Sequence, residues 1–324
     1  MQQTILGRTG LSVSQLGLGT MTWSRDTDEH EARDQLGTFL EAGGNLIDTS
    51  ASYADGGSEL LLGALLSEGV RREDVVVVSK AGTRRTPDGA VPDTSRRNLL
   101  ATLDNSLRRL DTDHLDLWLV QRPDRNTPVA EIAATLDYAV RSGKVRYVGV
   151  TNYPAWLMTQ LNSLLGGGVV GAGLAATEVE YHLLERGIER EVAPAARAQG
   201  IGLISWSALG RGVLTGKYLK AIPADSRAAS AHLNGFVSPY LGAEFQPIVS
   251  ALHTAAQGLE VSALTVALAW QRQAVADAYL VGARTAAQLE QVLAANEEDV
   301  PDQILDALSE VSTPVVGYPE RMGN

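Results

Sequence analysis

The sequence predicts an α/β fold, a (β/α)8 TIM barrel with an N-terminal hairpin and a C-terminal helix, on three observations. Short runs rich in Val, Ile and Leu alternate with longer segments of helical period, the pattern that builds parallel sheets. Eight such strand-and-helix pairs can be counted, the number a barrel needs. No composition shift or Pro/Ser-rich linker divides the 324 residues, so one domain is expected over 1–324. Length alone does not demand a second, because barrels of this kind commonly exceed 250 residues.

Residues 1–14 carry Gly7, Arg8 and Gly10 in a turn-like pattern and are read as a small hairpin closing one barrel end. Strands are expected over 15–19, 45–49, 75–80, 115–121, 145–150, 175–180, 202–206 and 278–281. Val75 to Val78 is apolar on both faces, as a buried parallel strand should be. Helices are expected over 28–41, 95–110, 128–141 and 154–165, several opened by Ser, Thr or Asp as capping groups. From Ser207 to about Asp277 no strand is expected. That stretch opens with Gly210, Gly212 and Gly216 and passes Pro223, Ser226, Gly235 and Pro239 before turning helical. Long loops in compact domains are often functional. Residues 301–311 read as a terminal helix followed by a loose tail.

Lys and Arg number 27 against 38 Asp and Glu, a formal charge of -11, and no basic run is long enough to mark a nucleic-acid or lipid surface. An anionic cofactor therefore needs a local basic pocket. The absence of cysteine excludes disulfides, thiolate catalysis and Cys-ligated metals, and is compatible with a reducing cytoplasm. The first ten residues lack an apolar core and no run of 18 apolar residues occurs, so secretion and membrane insertion are not expected and a cytoplasmic protein is.

In a barrel of this type the active site lies at the C-terminal ends of the strands. Asp48 ends the second strand, Tyr53 follows in the next loop, Lys80 ends the third and Gln121 the fourth. Any one of them is as well explained by polarity beginning where a strand ends. Together they form a pattern: Asp48-Thr49-Ser50-Ala51-Ser52-Tyr53, a valine run into Lys80, then Leu115 to Gln121-Arg122-Pro123-Asp124. That pattern closely resembles the aldo-keto reductase family. Leu16-Gly17-Leu18-Gly19-Thr20, Ser58-Glu59, the segment from Gly143 to Asn152, the segment from Trp206 to Gly216, and Val281-Gly282-Ala283-Arg284 with Gln288 extend the resemblance over almost the whole chain.

The resemblance implies an NADPH-dependent oxidoreductase acting on a small-molecule carbonyl, with Tyr53 as general acid. A tyrosine titrates ordinarily near pH 10. A nearby Lys80 ammonium is expected to lower that value, with Asp48 holding the lysine charged. Thr151 and Asn152 are implied as carboxamide contacts, and Trp206 as the ring stacked on the nicotinamide unless it is a core aromatic. Arg284 is implied on the 2′-phosphate, unless it is a solvated surface charge; its planar guanidinium suits that group. Gly19, Thr20, Met21 and Asp48 are further cofactor contacts by the same resemblance. So are Ser207, Leu209, Arg211 and Gly212, and then Gly282 and Gln288. Lys217 and Arg227 are candidates for the pyrophosphate.

Three departures stand out. Gln121 occupies the place of a histidine in the family, which keeps a hydrogen-bond donor and loses a group able to carry charge. Glu178 stands where glutamine is usual, beside the carboxamide. Either it is a carboxylate that attracts the oxidised, cationic nicotinamide, or it is protonated or turned away and imitates glutamine. Gln291 and Val292 replace a Glu-Asn pair near the adenine. Gln121 keeps open a nucleotide-binding regulatory protein of slow turnover, resembling potassium-channel β-subunits, and a reductase of a conjugated C=C bond or a deoxysugar ketone. The glycines at 166, 167, 168 and 171 fit a dinucleotide-binding pattern but follow a helix, so they are read as a loop. No phosphate-binding loop, nucleophile elbow or metal-ligand spacing is present. The histidines are isolated and read as structural or surface groups.

Overall fold

The computed structural model describes residues 1–87, 89–166, 173–219, 221–224, 226–315 and 317–318. Two short antiparallel strands, β1 (Gln3–Ile5) and β2 (Ser12–Ser14), form the expected N-terminal hairpin. The barrel strands are β3 (Leu16–Gly19), β4 (Leu46–Asp48) and β5 (Val76–Ala81). A second hairpin follows, β6 (Thr83–Thr86) with β7 (Gly89–Pro92), which sequence reasoning did not anticipate. Then come β8 (Leu115–Val120), β9 (Val145–Thr151), β10 (Ala176–Glu180), β11 (Gly202–Trp206) and β12 (Ala278–Val281). The eight barrel strands pair in parallel in chain order, and β12 closes on β3 through Tyr279 opposite Leu16.

Around them lie α1 (Glu29–Glu41), α2 (Gly57–Leu66), α3 (Arg96–Arg109), α4 (Val129–Arg141), α5 (Ala155–Gly166) and α6 (Val192–Gln199). The long segment after β11 includes several 3-10 turns and a one-turn helix, α7 (Asn234–Val237), before α8 (Gln246–Gly258) and α9 (Ala263–Gln273). The chain continues through α10 (Ala286–Asn296) to the expected terminal helix, α11 (Asp302–Val311), which packs on α8 and α9. Caps place several helix starts: the side chains of Asp28, Ser95, Ser262 and Thr285 each accept from the backbone N–H three residues on. α5 ends at Gly166, so the rest of the glycine run that was read as a loop lies outside the described residues, as does most of the tail after α11.

The barrel interior is a cluster of its own, in which Leu46, Val76, Val78, Leu117, Leu119, Ile204 and Leu280 are buried. Leu6 and Val13 of the hairpin join this cluster at full burial, so the hairpin plugs the end where the strands begin. The plug sits close: Gly7 has φ +57, and a Cβ there would lie 2.5 Å from the backbone N of Gly202. Outward-facing strand residues such as Leu16, Ile47, Val77 and Trp118 form the larger core under the helices. A buried ion pair fastens α2 to α3, with Arg109 Nε donating to Glu59 Oε2 at 2.7 Å and Ser79 Oγ donating to Glu59 Oε1 at 2.5 Å.

Candidate active site

The plugged end leaves the opposite face, where the strands finish, and a cavity of about 800 Å³ opens there. Asp48, Lys80 and Glu178 form its floor from β4, β5 and β10, each almost wholly buried. Lys80 Nζ is bound to Asp48 Oδ2, donates to the Thr49 carbonyl at 3.1 Å, and lies 3.4 Å from Glu178 Oε2. Tyr53 reaches the same nitrogen at 3.5 Å from a tight turn after β4. That turn is built by Ala54 and Asp55 in the left-handed region at φ 46° and 58°. Asn152, Ser207 and Arg211 line the cavity with φ 60°, 61° and 56°. Non-glycine residues held in this region cluster at functional sites.

Electrostatics correct the expectation for Tyr53. Its phenol is pushed above the ordinary value, because burial costs the phenolate more than Lys80 returns and because Asp48 and Glu178 repel it. The ring is only partly covered, but the hydroxyl lies at the floor among these charges. Lys80 is raised despite its burial, since both carboxyl groups and Tyr53 favour its charged form. Asp48 and Glu178 compete for that one ammonium. Burial raises Asp48 as well, and its direct contact with the ammonium draws it back; Glu178 is pushed up to about 8 by burial first and by the charge of Asp48 second. The shift favours the protonated form of Glu178 near neutral pH, the second of the two forms that the sequence left open.

Thr151 and Glu178 sit opposite one another on β9 and β10. Thr151 Oγ1 and Glu178 Oε2 are buried polar atoms with no hydrogen-bond partner among the described residues. Above them, Trp206 Nε1 donates to Asn152 Oδ1 at 3.1 Å, and Asn152 Nδ2 donates to the Gln121 carbonyl at 3.3 Å. Gln121 faces the cavity with its amide on the Ser52 hydroxyl at 3.2 Å. Gly19, Met21, Ser207, Leu209 and Gly212 line the middle of the cavity. Lys217, Gly282, Arg284 and Gln288 line it as well, as do Gln291 and Val292. Gln288 Oε1 accepts from the Arg284 backbone N–H at 3.0 Å, part of the cap of α10. Arg227 donates to the Gly282 carbonyl at 3.3 Å, and its guanidinium is disfavoured by burial and by the neighbouring Arg284.

One expected contact is placed otherwise, and a second is engaged within the chain. Thr20 does not line the cavity: it is fully buried behind it, donating to the Asp48 carbonyl at 3.0 Å and sharing a hydrogen bond with Ser58. Arg211 lines the cavity, but its guanidinium is engaged by both oxygens of Glu180, at 2.7 and 2.6 Å, and by the Phe236 carbonyl. It lies 4.2 Å from the Phe236 ring centroid and 5.0 Å from that of Tyr240. Sequence reasoning missed Phe236, which stacks 6.4 Å from Trp206 at the cavity wall, and Ser52 beside Gln121. Phe236 sits on a four-residue turn with no periodicity to announce it. The β6–β7 hairpin did carry a signal, the Pro-Asp-Gly turn sequence at 87–89.

The profile of the aldo/keto reductase family matches residues 15–313. The chain belongs to this family. It is 34% identical over 321 residues to "Uncharacterized oxidoreductase YrpG" of Bacillus subtilis (strain 168), covering 96% of both chains. It is 36% identical over 276 residues to "Probable voltage-gated potassium channel subunit beta" of Oryza sativa subsp. japonica, covering 83% of each. "Protein tas" of Escherichia coli (strain K12) is 31% identical over 349 residues, with 98% of this chain and 99% of that protein covered. The protein is an oxidoreductase of the aldo/keto reductase type, a family that generally binds NAD(P)H. Among the described residues no helix is long and apolar enough to cross a membrane.

Proposed function

We propose that this family member reduces a carbonyl group, on an aldehyde, ketone or keto-sugar, with NADPH as reductant and Tyr53 as general acid. The observation that carries the reading is the placing of Lys80 Nζ against both Asp48 and the Tyr53 hydroxyl at the floor of the cavity. The residues present fit a nicotinamide. Thr151 Oγ1 and Glu178 Oε2 are buried without a hydrogen-bond partner among the described residues, and a carboxamide offers one donor group and one acceptor to meet them. Trp206 presents a partly exposed aromatic face above. When bound, the reduced ring supplies a hydride to the substrate carbon. Tyr53, kept protonated by its surroundings, gives its proton to the substrate oxygen. Lys80 stabilises the phenolate left behind, and Asp48 holds Lys80 in place. Gln121, steadied by Ser52, orients the substrate through its amide.

The test is to mix the purified protein with NADPH and a panel of aldehydes, ketones, enones and keto-sugars and to follow cofactor absorbance. Oxidation with at least one carbonyl class is expected. Two relatives named as probable potassium-channel β-subunits favour a second reading, a nucleotide-binding protein of slow turnover. Binding without oxidation across the panel would select it.

Preference for NADPH rests on Arg284, which lines the cavity together with Arg227. The charge of Arg284 disfavours the Arg227 guanidinium, and an anion bound beside the two relieves it. Arg284→Ala is expected to weaken NADPH binding by about 1.5–3 kcal/mol and hardly to change NADH binding. Fluorescence titration with each cofactor measures both, and equal losses would remove the argument for NADPH.

A further inference from the structure

The floor of the cavity holds one more acid than it has bases to pair. Glu178 Oε2 is buried, lines the cavity, and finds no hydrogen-bond donor among the described residues, while Lys80 Nζ 3.4 Å away is already engaged by Asp48. The charged and titratable groups that face Glu178 are Lys80 from β5, Asp48 from β4 and Tyr53 from the turn after it. Its neighbours in register, Thr151 on β9 and Ile204 on β11, carry no charge. A carboxyl pushed up to about 8 in this setting is a proton held beside Lys80, which itself stands 3.5 Å from the Tyr53 oxygen.

We propose that Glu178 is the proton store of the reaction, returning a proton through Lys80 to Tyr53 after Tyr53 has protonated the substrate. The inference rests on the reductase reading above. In balance, the reduced nicotinamide is oxidised and the carbonyl carbon gains a C–H bond. The Tyr53 O–H bond breaks as the alcohol O–H forms. The phenolate then takes a proton from Lys80, and Lys80 takes one from Glu178. Lys80 and Tyr53 end as they began and Glu178 ends as a carboxylate. Its negative charge would then face an oxidised, cationic nicotinamide held in the cavity, and opposite charges attract. Departure of the oxidised cofactor removes that attraction, and Glu178 regains a proton from water. The store needs no histidine, and Gln121 can serve the substrate alone.

Titration calorimetry of the apo protein and of Glu178→Gln with NADP⁺ and with NADPH, in buffers of different ionisation enthalpy, counts the protons exchanged. A group titrating near 8 is about nine-tenths protonated at pH 7. Wild type is therefore expected to release about 0.9 proton more than Glu178→Gln on binding NADP⁺, and no more than the variant on binding NADPH. Equal release by the two proteins overturns the proton store and leaves the reductase reading standing. A protein that binds neither cofactor overturns both. A measurement on wild type alone guards against a misfolded variant: the carboxylic-acid band in the infrared difference spectrum should be lost when NADP⁺ binds and kept when NADPH binds. Retention of the band with NADP⁺ overturns the inference.

Discussion

Tyr53→Phe is expected to lower the rate of carbonyl reduction by about 10²- to 10⁴-fold while leaving NADPH affinity nearly unchanged. The substitution keeps the ring in its partly covered place over Lys80, whose Nζ lies 5.2 Å from the ring centroid, and removes only the hydroxyl. Substrate and cofactor still meet the same walls, so binding is preserved. What is lost is the proton that must reach the oxygen as negative charge develops there. Lys80 lies one step too deep to supply it, being held by Asp48 and the Thr49 carbonyl. Steady-state turnover with the best substrate of the panel, set beside NADPH titration of both proteins, decides the matter. Turnover comparable to wild type would refute the role of Tyr53.

The second large effect is on stability and is expected only when both acids at the floor are removed. Asp48→Asn alone should cost about 1–2 kcal/mol, because Glu178 gives up its proton and takes over as the partner of Lys80. Glu178→Gln alone exchanges one neutral group for another of the same shape and should cost within about 0.5 kcal/mol. The double variant leaves a buried ammonium without a carboxylate. Removing a partner in this way typically costs about 3–5 kcal/mol. The loss in the double variant should thus exceed the sum of the single losses, the signature of two groups serving one partner. Urea unfolding of the four proteins measures the cycle. Additive losses would show that Glu178 does not stand in for Asp48.

Most of the barrel was legible because its strands are buried and their apolar runs are interrupted by polar residues where the chain leaves the sheet. Val76 to Lys80 illustrates this: the valines mark the strand and Lys80 marks the end that carries chemistry. The same logic located Asp48 and Gln121, and the resemblance located Tyr53. Thr20 shows the limit, since position along the chain placed it beside the cofactor path while its hydroxyl turned inward to Asp48 and Ser58. Arg211 shows another, for nothing in a linear reading pairs it with Glu180 thirty-one residues earlier. The protonation of Glu178 and the raised phenol of Tyr53 depend on separations of a few ångströms between groups from different strands. Such separations exist only once the barrel is closed.

The hairpin that plugs the barrel also governs how the floor communicates with water. Leu6 and Val13 stand across the end where the strands begin, packed against the interior leucines and valines. The carboxyl groups of Asp48 and Glu178 therefore trade protons with the solvent through the mouth of the cavity. A filled cavity is then a stoppered vessel, whose proton content is set when the stopper goes in. The acidity of the medium is sampled between turnovers and not during them.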